Sequence, residues 1–149
     1  MSPSVADTER YNSKHEATEW MNGLPIFVIA VRPSRYTYSF IEEMGDFTVN
    51  VPKRGMEHIV EGCGTYSGRD VDKFEKYKLT PIPSHKVKSP LIDECIIGYE
   101  CRVIYKQDLI PENIKESVIS NYYPLGDFHR LYFGEILQIL ADKDFAEKI

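Results

Sequence analysis

The chain has 149 residues, of which 42% are hydrophobic, so it is long and apolar enough for one folded domain and unlike a disordered segment. Its formal net charge of −5 disfavours duplex nucleic acid as a partner, because such binders usually present a basic surface. The longest apolar run, Leu24–Val31, is too short to cross a membrane, and the N-terminus lacks the basic-then-apolar pattern of a secretory signal.

The cysteine usage bears on the compartment and on metal chemistry. Cys63, Cys95 and Cys101 are odd in number, and no two of them have Cys-x-x-Cys spacing. This usage predicts buried thiols in a reducing, cytoplasmic compartment, and neither a disulfide framework nor a metal site. No arrangement typical of nucleophilic catalysis stands out, so we predict no catalytic side chain.

The N-terminal part of the chain differs in character from the rest. Residues 1–23 are predicted to form a polar tail with a short helix, and residues 24–149 a single domain. Ser13 and Glu16 have the spacing of a capping box, which predicts a helix from Ser13 to about Met21.

The chain is organised around residues 26–45, a predicted strand that leads directly into a helix. Residues 26–31 are all apolar, and Pro33 ends the strand because proline cannot donate to a sheet. Ser34 stands where a helix N-cap belongs, and Gly45 where a C′ glycine belongs. The predicted apolar face of this helix consists of Thr37, Phe40, Ile41 and Met44.

The start of that helix is a candidate anion-binding site. First-turn N–H groups lack intrahelical partners, and the helix dipole places partial positive charge there. Two guanidinium groups and three hydroxyl groups within six residues suit a phosphate, because they can form charge-assisted hydrogen bonds with it. These groups belong to Arg32, Ser34, Arg35, Tyr36 and Thr37. The alternative is an ordinary capped helix with two solvated arginines.

Three further segments flank a glycine-containing loop. Residues 47–51 alternate between apolar and polar side chains, the pattern of a half-buried strand, and Pro52 stops it. The apolar residues of segment 56–63 fall on one side of a short helix. Residues 78–93 contain three prolines and little periodicity, which predicts an extended surface connection.

The glycine-containing loop itself is a second candidate binding element. Asp70 or Asp72 is expected to cap the helix that follows it. Backbone N–H groups of the loop, together with Ser67, Arg69 and Lys73, suit a polar ring or a phosphate. An ordinary connector with a charged cap explains the same composition equally well.

The C-terminal third is predicted to contribute the two longest strands. Residues 97–105 alternate and have one strongly apolar face. Residues 129–140 are apolar on nearly both faces, and Gly134 among them predicts a bulge or the close approach of another group. An insertion between these strands is predicted to hold a helix over 111–119, and residues from 142 onward to form a charged tail.

These elements together predict a mainly β protein. Short connections, including a turn at Gly126 and Asp127, favour hairpins and meanders over regular βαβ units. We therefore predict an antiparallel barrel, closed or partly closed, with peripheral helices.

Several of the motifs, in this order, resemble the flavin reductase-like proteins, a group that includes the flavoredoxins. The motifs are VRPSRYTY at 31–38, FTVNVP at 47–52, CGTYSGRDVDKF at 63–74 and LTP at 79–81. One subgroup is also matched by ECR at 100–102, QDLIPEN at 107–113 and DFHRLYFGEI at 127–136. The resemblance covers roughly residues 24–140, and several ordered motifs are more specific than any one alone.

The resemblance implies an FMN-binding split β-barrel that forms a homodimer, with the flavin near the subunit interface. It also implies a set of cofactor-binding residues. These are Arg32, Ser34, Arg35, Tyr36 and Thr37 around the FMN phosphate, Asn50 beside the flavin ring, and Ser67, Arg69, Asp70 and Lys73 in the loop that closes over the flavin or the partner subunit. His129 starts the strand near that region.

The N-terminus departs from the family pattern. Members usually carry a strand-turn-strand segment before the Arg-Pro-Ser stretch, and its second strand lines the ribityl chain and the flavin ring. Residues 12–20 of this chain are instead charged and helix-prone. We therefore expect either a shortened or altered N-terminus, which leaves a barrel edge open for a partner, or Thr18 and Trp20 as remnants of the missing motif.

Two functions follow from the resemblance. In the first, the protein is an NAD(P)H-dependent FMN oxidoreductase or takes electrons from a donor protein, and passes them on through bound FMN. Nicotinamide would bind transiently, because the chain has no Gly-x-Gly-x-x-Gly motif. In the second, a non-catalytic paralogue has lost flavin and serves as a dimeric interaction module. The joint presence of Arg32, Arg35 and Asn50 favours the first.

Overall fold

A six-stranded antiparallel sheet forms the body of the protein. The structure is a computed structural model, and it describes residues 4–6, 19–20, 23–65 and 71–149. Its strands are β1 (Ser4–Ala6), β2 (Glu19–Trp20), β3 (Leu24–Val31), β4 (Asp46–Val51), β7 (Ile97–Asp108) and β8 (Arg130–Ala141). The sheet has the strand order β2-β3-β8-β7-β4, and β1 also pairs with β8. A separate two-stranded ribbon consists of β5 (Pro81–Ile82) and β6 (Leu91–Ile92).

Short helices surround this sheet, which confirms the predicted mainly β architecture with peripheral helices. They are α1 (Tyr36–Met44), α2 (Glu57–Thr65), α3 (Lys73–Lys76), α4 (Glu116–Tyr122) and α5 (Phe145–Lys148), with a 3₁₀ helix at Pro111–Asn113. The Asp72 side chain caps α3 by accepting hydrogen bonds from the N–H groups of Phe74 and Glu75, so Asp72 is the cap among the two aspartates considered.

One face of the sheet carries the hydrophobic core. Phe47, Tyr99, Cys101 and Ile139 are buried there, as the alternation of strands 47–51 and 97–105 predicts. Gly134 lies against this cluster: a Cβ atom at Gly134 would stand 2.5 Å from Cζ of Phe47 and 2.8 Å from Cβ of Cys101. The predicted close approach at this glycine is therefore confirmed. The register between β7 and β8 also shifts beside it, between Val103 and Tyr105.

The opposite face of β4 and β7 is polar and is covered by the connection between β5 and β6. Glu100 is 0% exposed, and its Oε1 accepts hydrogen bonds from the backbone N–H groups of His85 and Lys86 at 2.8 and 2.5 Å. Asp46 accepts from the N–H groups of Lys88 and Ser89 at 2.9 and 3.1 Å. Two carboxylates thus hold a loop whose four N–H groups have no strand partner. Residues 85–89 of the predicted surface connection 78–93 are therefore bound to the sheet and cover its polar face.

Helix α1 begins one residue later than its sequence predicts. Arg35 is the N-cap and makes no side-chain capping bond, so the expectation that Ser34 caps the helix is wrong. Ser34 instead binds Asp127, as described below. Gly45 ends α1 with φ +72°, as predicted.

The predicted apolar face of α1 is only partly correct. Ile41 is buried against the core, whereas Phe40 and Met44 are 43% and 36% exposed. The helix docks through a polar group as well as through Ile41, because Glu42 reaches the sheet and binds Arg130 of β8. The side that carries Phe40 and Met44 therefore turns away from the sheet.

Two predicted helices differ from the structure. The predicted helix over 111–119 is wrong in its bounds: Ile114 has an extended backbone and separates the 3₁₀ helix from α4. The predicted helix from Ser13 to about Met21 falls mostly on residues outside the described ones, and its described pair, Glu19–Trp20, is a strand paired with β3.

The predicted charged tail is also wrong. Phe145 of α5 packs against the core, and Asp142 is 7% exposed and bound to Lys148, with 3.0 Å between Oδ2 and Nζ. Backbone bonds fasten this end as well, since the N–H of Asp142 donates to Ile96 and that of Arg54 to Lys148. One apolar residue, an ion pair and backbone hydrogen bonds together dock this last helix.

Candidate functional site

The junction between β3 and α1 gathers most of the predicted site residues. Arg32 follows the last residue of β3 and points its guanidinium at the segment that precedes β8. Nη2 donates to the carbonyl oxygen of Tyr122 at 2.8 Å, and Cζ lies 4.6 Å from the centre of the Tyr123 ring. Arg32 is therefore anchored on a backbone carbonyl and an aromatic face.

Ser34 and Asp127 form the second link across this junction. The backbone N–H of Ser34 donates to Oδ1 of Asp127 at 3.1 Å, and its hydroxyl donates to Oδ2 at 2.5 Å. Asp127 and Gly126 have φ values of +56° and +78°, which confirms the predicted turn. The left-handed backbone turns the carboxylate of Asp127 toward the entry of α1, where negative charge is favourable.

His129 lies in the same cluster. Its Nδ1 is 2.5 Å from the hydroxyl oxygen of Tyr123, and the Tyr123 ring stacks on Phe128 with a centroid distance of 4.7 Å. Burial lowers the pKa of His129, and the positive charges of Arg32 and Arg35 lower it further. The imidazole is therefore a neutral group next to two cations.

The other residues predicted at the start of α1 face outward. Arg35, Tyr36 and Thr37 are exposed, and the Tyr36 ring meets Phe40 edge-on at 4.7 Å. Within the described part of the chain, Arg35 has no ion-pair or hydrogen-bond partner for its guanidinium, and Thr37 has none for its hydroxyl. These two groups are free to meet a ligand.

Asn50 is placed elsewhere and is already occupied. Its Nδ2 donates to Thr48 Oγ1 at 3.1 Å and its Oδ1 accepts from the N–H of Ile92 at 2.9 Å, so the amide joins β4 to β6. Asn50 pairs with Gly98, which in turn pairs with Leu140 near the end of β8. Arg32 instead lies near the start of β8, because the preceding residue, Val31, pairs with Arg130. The two positions are thus roughly 33 Å apart measured along β8. The protomer does not bring Asn50 to the β3–α1 junction.

The structure describes one of the four predicted loop residues. Ser67, Arg69 and Asp70 lie outside the described residues. Lys73 is described, and its ammonium donates to the carbonyl oxygen of Cys63 at 2.5 Å. In this arrangement Lys73 supports the end of α2, where a cation is favourable.

Sequence reasoning missed three contacts of the cluster. Tyr122 anchors Arg32, Tyr123 anchors His129, and Asp127 anchors Ser34. The available signal was indirect. Gly126 and Asp127 mark a turn just before β8, and β8 is the strand that pairs with β3. An antiparallel pair brings the start of one strand beside the end of the other, so the observed pairing places this turn beside the Arg-Pro-Ser stretch.

On its other side, α1 is fixed by an ion-pair network around Glu42. Lys106 Nζ, Arg130 Nη1 and the Tyr132 hydroxyl lie 2.8, 2.7 and 2.7 Å from its carboxylate oxygens. The hydrogen bond from Lys106, with those from Tyr132 and Arg130, lowers the pKa of Glu42 to about 2. Arg130 also pairs with Asp108, so one network joins α1, β7 and β8.

The three cysteines differ in exposure. Cys95 and Cys101 are buried as predicted, whereas Cys63 is partly exposed, and burial raises the pKa of Cys101 to about 12. No group of three metal-ligating side chains occurs within the described ranges. Of the helices that the structure describes, none combines the length and the apolar character that a membrane span needs.

The chain belongs to the flavin reductase-like family: the model of the flavin reductase like domain matches residues 23–148. An uncharacterised protein of Archaeoglobus fulgidus is 39% identical over 119 residues, which are 80% of this chain and 58% of that protein. The recognised resemblance and the split-barrel fold are thereby confirmed.

Solved structures agree with this assignment. Flavoredoxin of Desulfovibrio vulgaris superposes with a TM-score of 0.65 at 26% identity, covering 84% of this chain and 57% of that one. An FMN-binding protein of Thermus thermophilus shares the fold, with a TM-score of 0.65 at 19% identity over 88% of this chain and 63% of that one. This chain spans little more than half the length of the relatives it matches.

Proposed function

We propose that this protein binds FMN at the β3–α1 junction and passes electrons through it, from NAD(P)H or from a donor protein. Membership of the flavin reductase-like family and 26% identity to a flavoredoxin support the redox role. The observation that carries the proposal is the guanidinium of Arg35, which has no partner within the described part of the chain and lies at the exposed start of α1, next to the anchored charge of Arg32. Two cations at a helix N-terminus suit a phosphate group.

The residues of the junction would have different roles in binding that phosphate. Arg35, Tyr36 and Thr37 offer exposed donors, and Arg32 contributes a fixed charge because Tyr122 and Tyr123 hold its guanidinium. Ser34 acts indirectly by fastening the entry of α1 to Asp127. When bound, FMN would supply the redox chemistry, and the chain would supply binding and orientation.

In this proposal the protein is an NAD(P)H-dependent FMN oxidoreductase without a catalytic side chain of its own. The nicotinamide nucleotide binds transiently against the flavin, because the chain contains no Gly-x-Gly-x-x-Gly stretch that would hold a dinucleotide. A redox partner protein is the other possible electron source, and neither nucleic acid nor a membrane is expected as a partner.

We also propose that the protein acts as a homodimer. Val28 and Tyr105 are 46% and 45% exposed, and both pair with Phe133, so three large apolar side chains form one row on the outer sheet face. Tyr105 and Phe133 are in edge-to-face contact at 5.3 Å. A row with two exposed apolar side chains favours burial against another molecule. Light scattering during size-exclusion chromatography gives the molar mass in solution and tests whether the protein is a dimer.

A second candidate function has its own support. Asn50 uses both ends of its amide within the protomer, and it lies far along β8 from Arg32. A paralogue that no longer binds flavin and serves as a dimeric interaction module would need no free Asn50. The two functions differ in one property, the retention of FMN.

The visible absorption spectrum of the purified protein tests both functions. The protein is measured as purified, and again after incubation with FMN and desalting. A retained flavin spectrum that bleaches anaerobically with NADH or NADPH is the expected result. A retained spectrum that neither nucleotide bleaches points to a donor protein as the electron source. A colourless protein after desalting overturns the flavin proposal and favours the interaction module.

A further inference from the structure

Tyr123 is held more firmly than its position suggests. It follows α4, a helix without buried residues, yet it is only 9% exposed. Its ring stacks on Phe128 at 4.7 Å and carries the guanidinium of Arg32 on one face at 4.6 Å. The ring also meets His129 edge-on at 5.6 Å. With the ring fixed, the hydroxyl oxygen has one position, and it lies 2.5 Å from Nδ1 of His129.

The charges around His129 determine its protonation. Arg32 at the end of β3 and Arg35 at the start of α1 disfavour the imidazolium, as does burial, whereas Asp127 in the adjacent turn favours it. The first three effects outweigh the last, and the pKa of His129 is lowered. The ring is therefore neutral near pH 7 and carries a single N–H.

The position of that N–H follows from the needs of Tyr123. If Nδ1 carried the proton, it would donate to the Tyr123 oxygen, and the phenol proton would need another acceptor. Among the described residues, the Tyr123 hydroxyl has no contact other than His129. A phenol that donates to Nδ1 satisfies both groups with one hydrogen bond, and this arrangement leaves the imidazole proton on Nε2. The described part of the chain offers no partner to Nε2.

We propose that Tyr123 is a positioning residue: it fixes His129 as the Nε2–H tautomer, which then donates a hydrogen bond to the phosphate of FMN beside Arg32 and Arg35. The phosphate contact rests on the proposed function, whereas the tautomer does not. A neutral donor suits this place, because it adds a hydrogen bond without a third positive charge next to the two guanidinium groups.

Nitrogen-15 NMR of the ligand-free protein tests the tautomer. Long-range correlations between ring protons and ring nitrogens distinguish Nε2–H from Nδ1–H, and the His129→Gln spectrum assigns the signal among four histidines. The wild type should show Nε2–H. Tyr123→Phe keeps the ring but removes the donor, so the tautomers should mix and the pKa of His129 should rise.

The matched control is Tyr122→Phe. Tyr122 is 65% exposed and contributes its carbonyl oxygen, rather than its hydroxyl, to the site. This variant should leave the tautomer and the pKa of His129 unchanged. An Nδ1–H tautomer in the wild type, or a Tyr123→Phe spectrum identical to that of the wild type, overturns the positioning role.

Two flavins that differ only in the phosphate test the ligand. FMN should shift the His129 Nε2 signal in the wild type, and riboflavin, which lacks the phosphate, should leave it unmoved. Tyr123→Phe should weaken FMN binding about three- to tenfold, the effect of one hydrogen bond. If both flavins shift the signal equally, the phosphate contact is wrong. If the wild type binds no FMN, the proposed function fails together with that contact, and the tautomer measurement still decides the role of Tyr123.

Discussion

Glu42 of α1 binds Arg130 of β8 across 88 positions of sequence, with 2.7 Å between Oε1 and Nη1. Lys106 and the Tyr132 hydroxyl complete the site, at 2.8 and 2.7 Å from the same carboxylate. One side chain thus fastens the helix that starts the candidate site to the two longest strands. Because these contacts need an ionised Glu42 carboxylate, the packing of α1 on the sheet should depend on pH.

The first prediction concerns Glu42. Its pKa is about 2 in the folded protein against an ordinary 4.5, so its contribution to stability is complete above pH 4.5 and is lost as the pH falls toward 2. Glu42→Gln should lower the melting temperature at pH 7 by roughly 2–4 °C, as expected for a partly exposed ion pair. Near pH 2 the variant and the wild type should melt together, as followed by circular dichroism.

Glu43→Gln is the control, because Glu43 is exposed and has no ion pair within the described part of the chain. It changes the net charge by the same amount and should leave the melting temperature nearly unchanged. Equal effects of the two substitutions at pH 7 would assign the loss to net charge and contradict the role of Glu42.

The second prediction concerns Gly134. An alanine there would place Cβ 2.5 Å from the Phe47 ring and 2.8 Å from Cβ of Cys101, and the latter atom cannot move without its strand. Gly134→Ala should therefore destabilise the protein by about 1–3 kcal/mol, measured by urea unfolding. Gly64→Ala in α2 meets no atom within 4 Å and should be neutral or slightly stabilising. A Gly134→Ala protein as stable as the wild type would contradict the packing described here.

These contrasts show what the sequence could predict. Alternation along β7 identified the core face, and the glycine inside β8 identified the close contact, because both signals are local. The same alternation placed Glu100 on a polar face, where the natural expectation is solvent. It is 0% exposed because a loop about fifteen residues earlier covers it, and periodicity carries no information about such covers.

The candidate site likewise combines residues that local sequence patterns predict with long-range contacts that they do not. The sequence placed Arg32, Ser34, Arg35, Tyr36 and Thr37 at a strand-to-helix junction, and the structure brings them together there. Their anchors come from some 90 residues away: Tyr122 for Arg32 and Asp127 for Ser34. Contacts at that separation depend on the pairing of β3 with β8, which local patterns do not specify.

The third prediction concerns the cover held by Glu100. Glu100→Ala leaves the N–H groups of His85 and Lys86 without their acceptor, and should cost about 1–3 kcal/mol of unfolding free energy. Glu100→Gln keeps a carbonyl oxygen at that place and should be milder. Amide exchange at His85 and Lys86 should accelerate far more in Glu100→Ala than in Glu100→Gln. Equal exchange in the two variants would contradict this acceptor role.

The fourth prediction separates the two arginines of the candidate phosphate site. Arg32 is held by Tyr122 and Tyr123, whereas Arg35 is free of such partners within the described residues. Arg35→Ala should therefore weaken FMN binding by about 1.5–3 kcal/mol, the range of a charge-assisted contact, without lowering the melting temperature. Arg32→Ala should weaken FMN binding and also lower the melting temperature, because it leaves the Tyr122 carbonyl and the buried Tyr123 ring without their partner. Fluorescence quenching of FMN gives the binding affinity, and thermal unfolding of the same samples gives the melting temperature.

Lys143→Ala, which removes one exposed positive charge near the C-terminus, controls for net charge and should change neither the affinity nor the melting temperature. Unchanged FMN affinity in the double variant Arg32→Ala, Arg35→Ala would remove the phosphate from this junction, and a stability loss in Arg35→Ala would show that its guanidinium is structural.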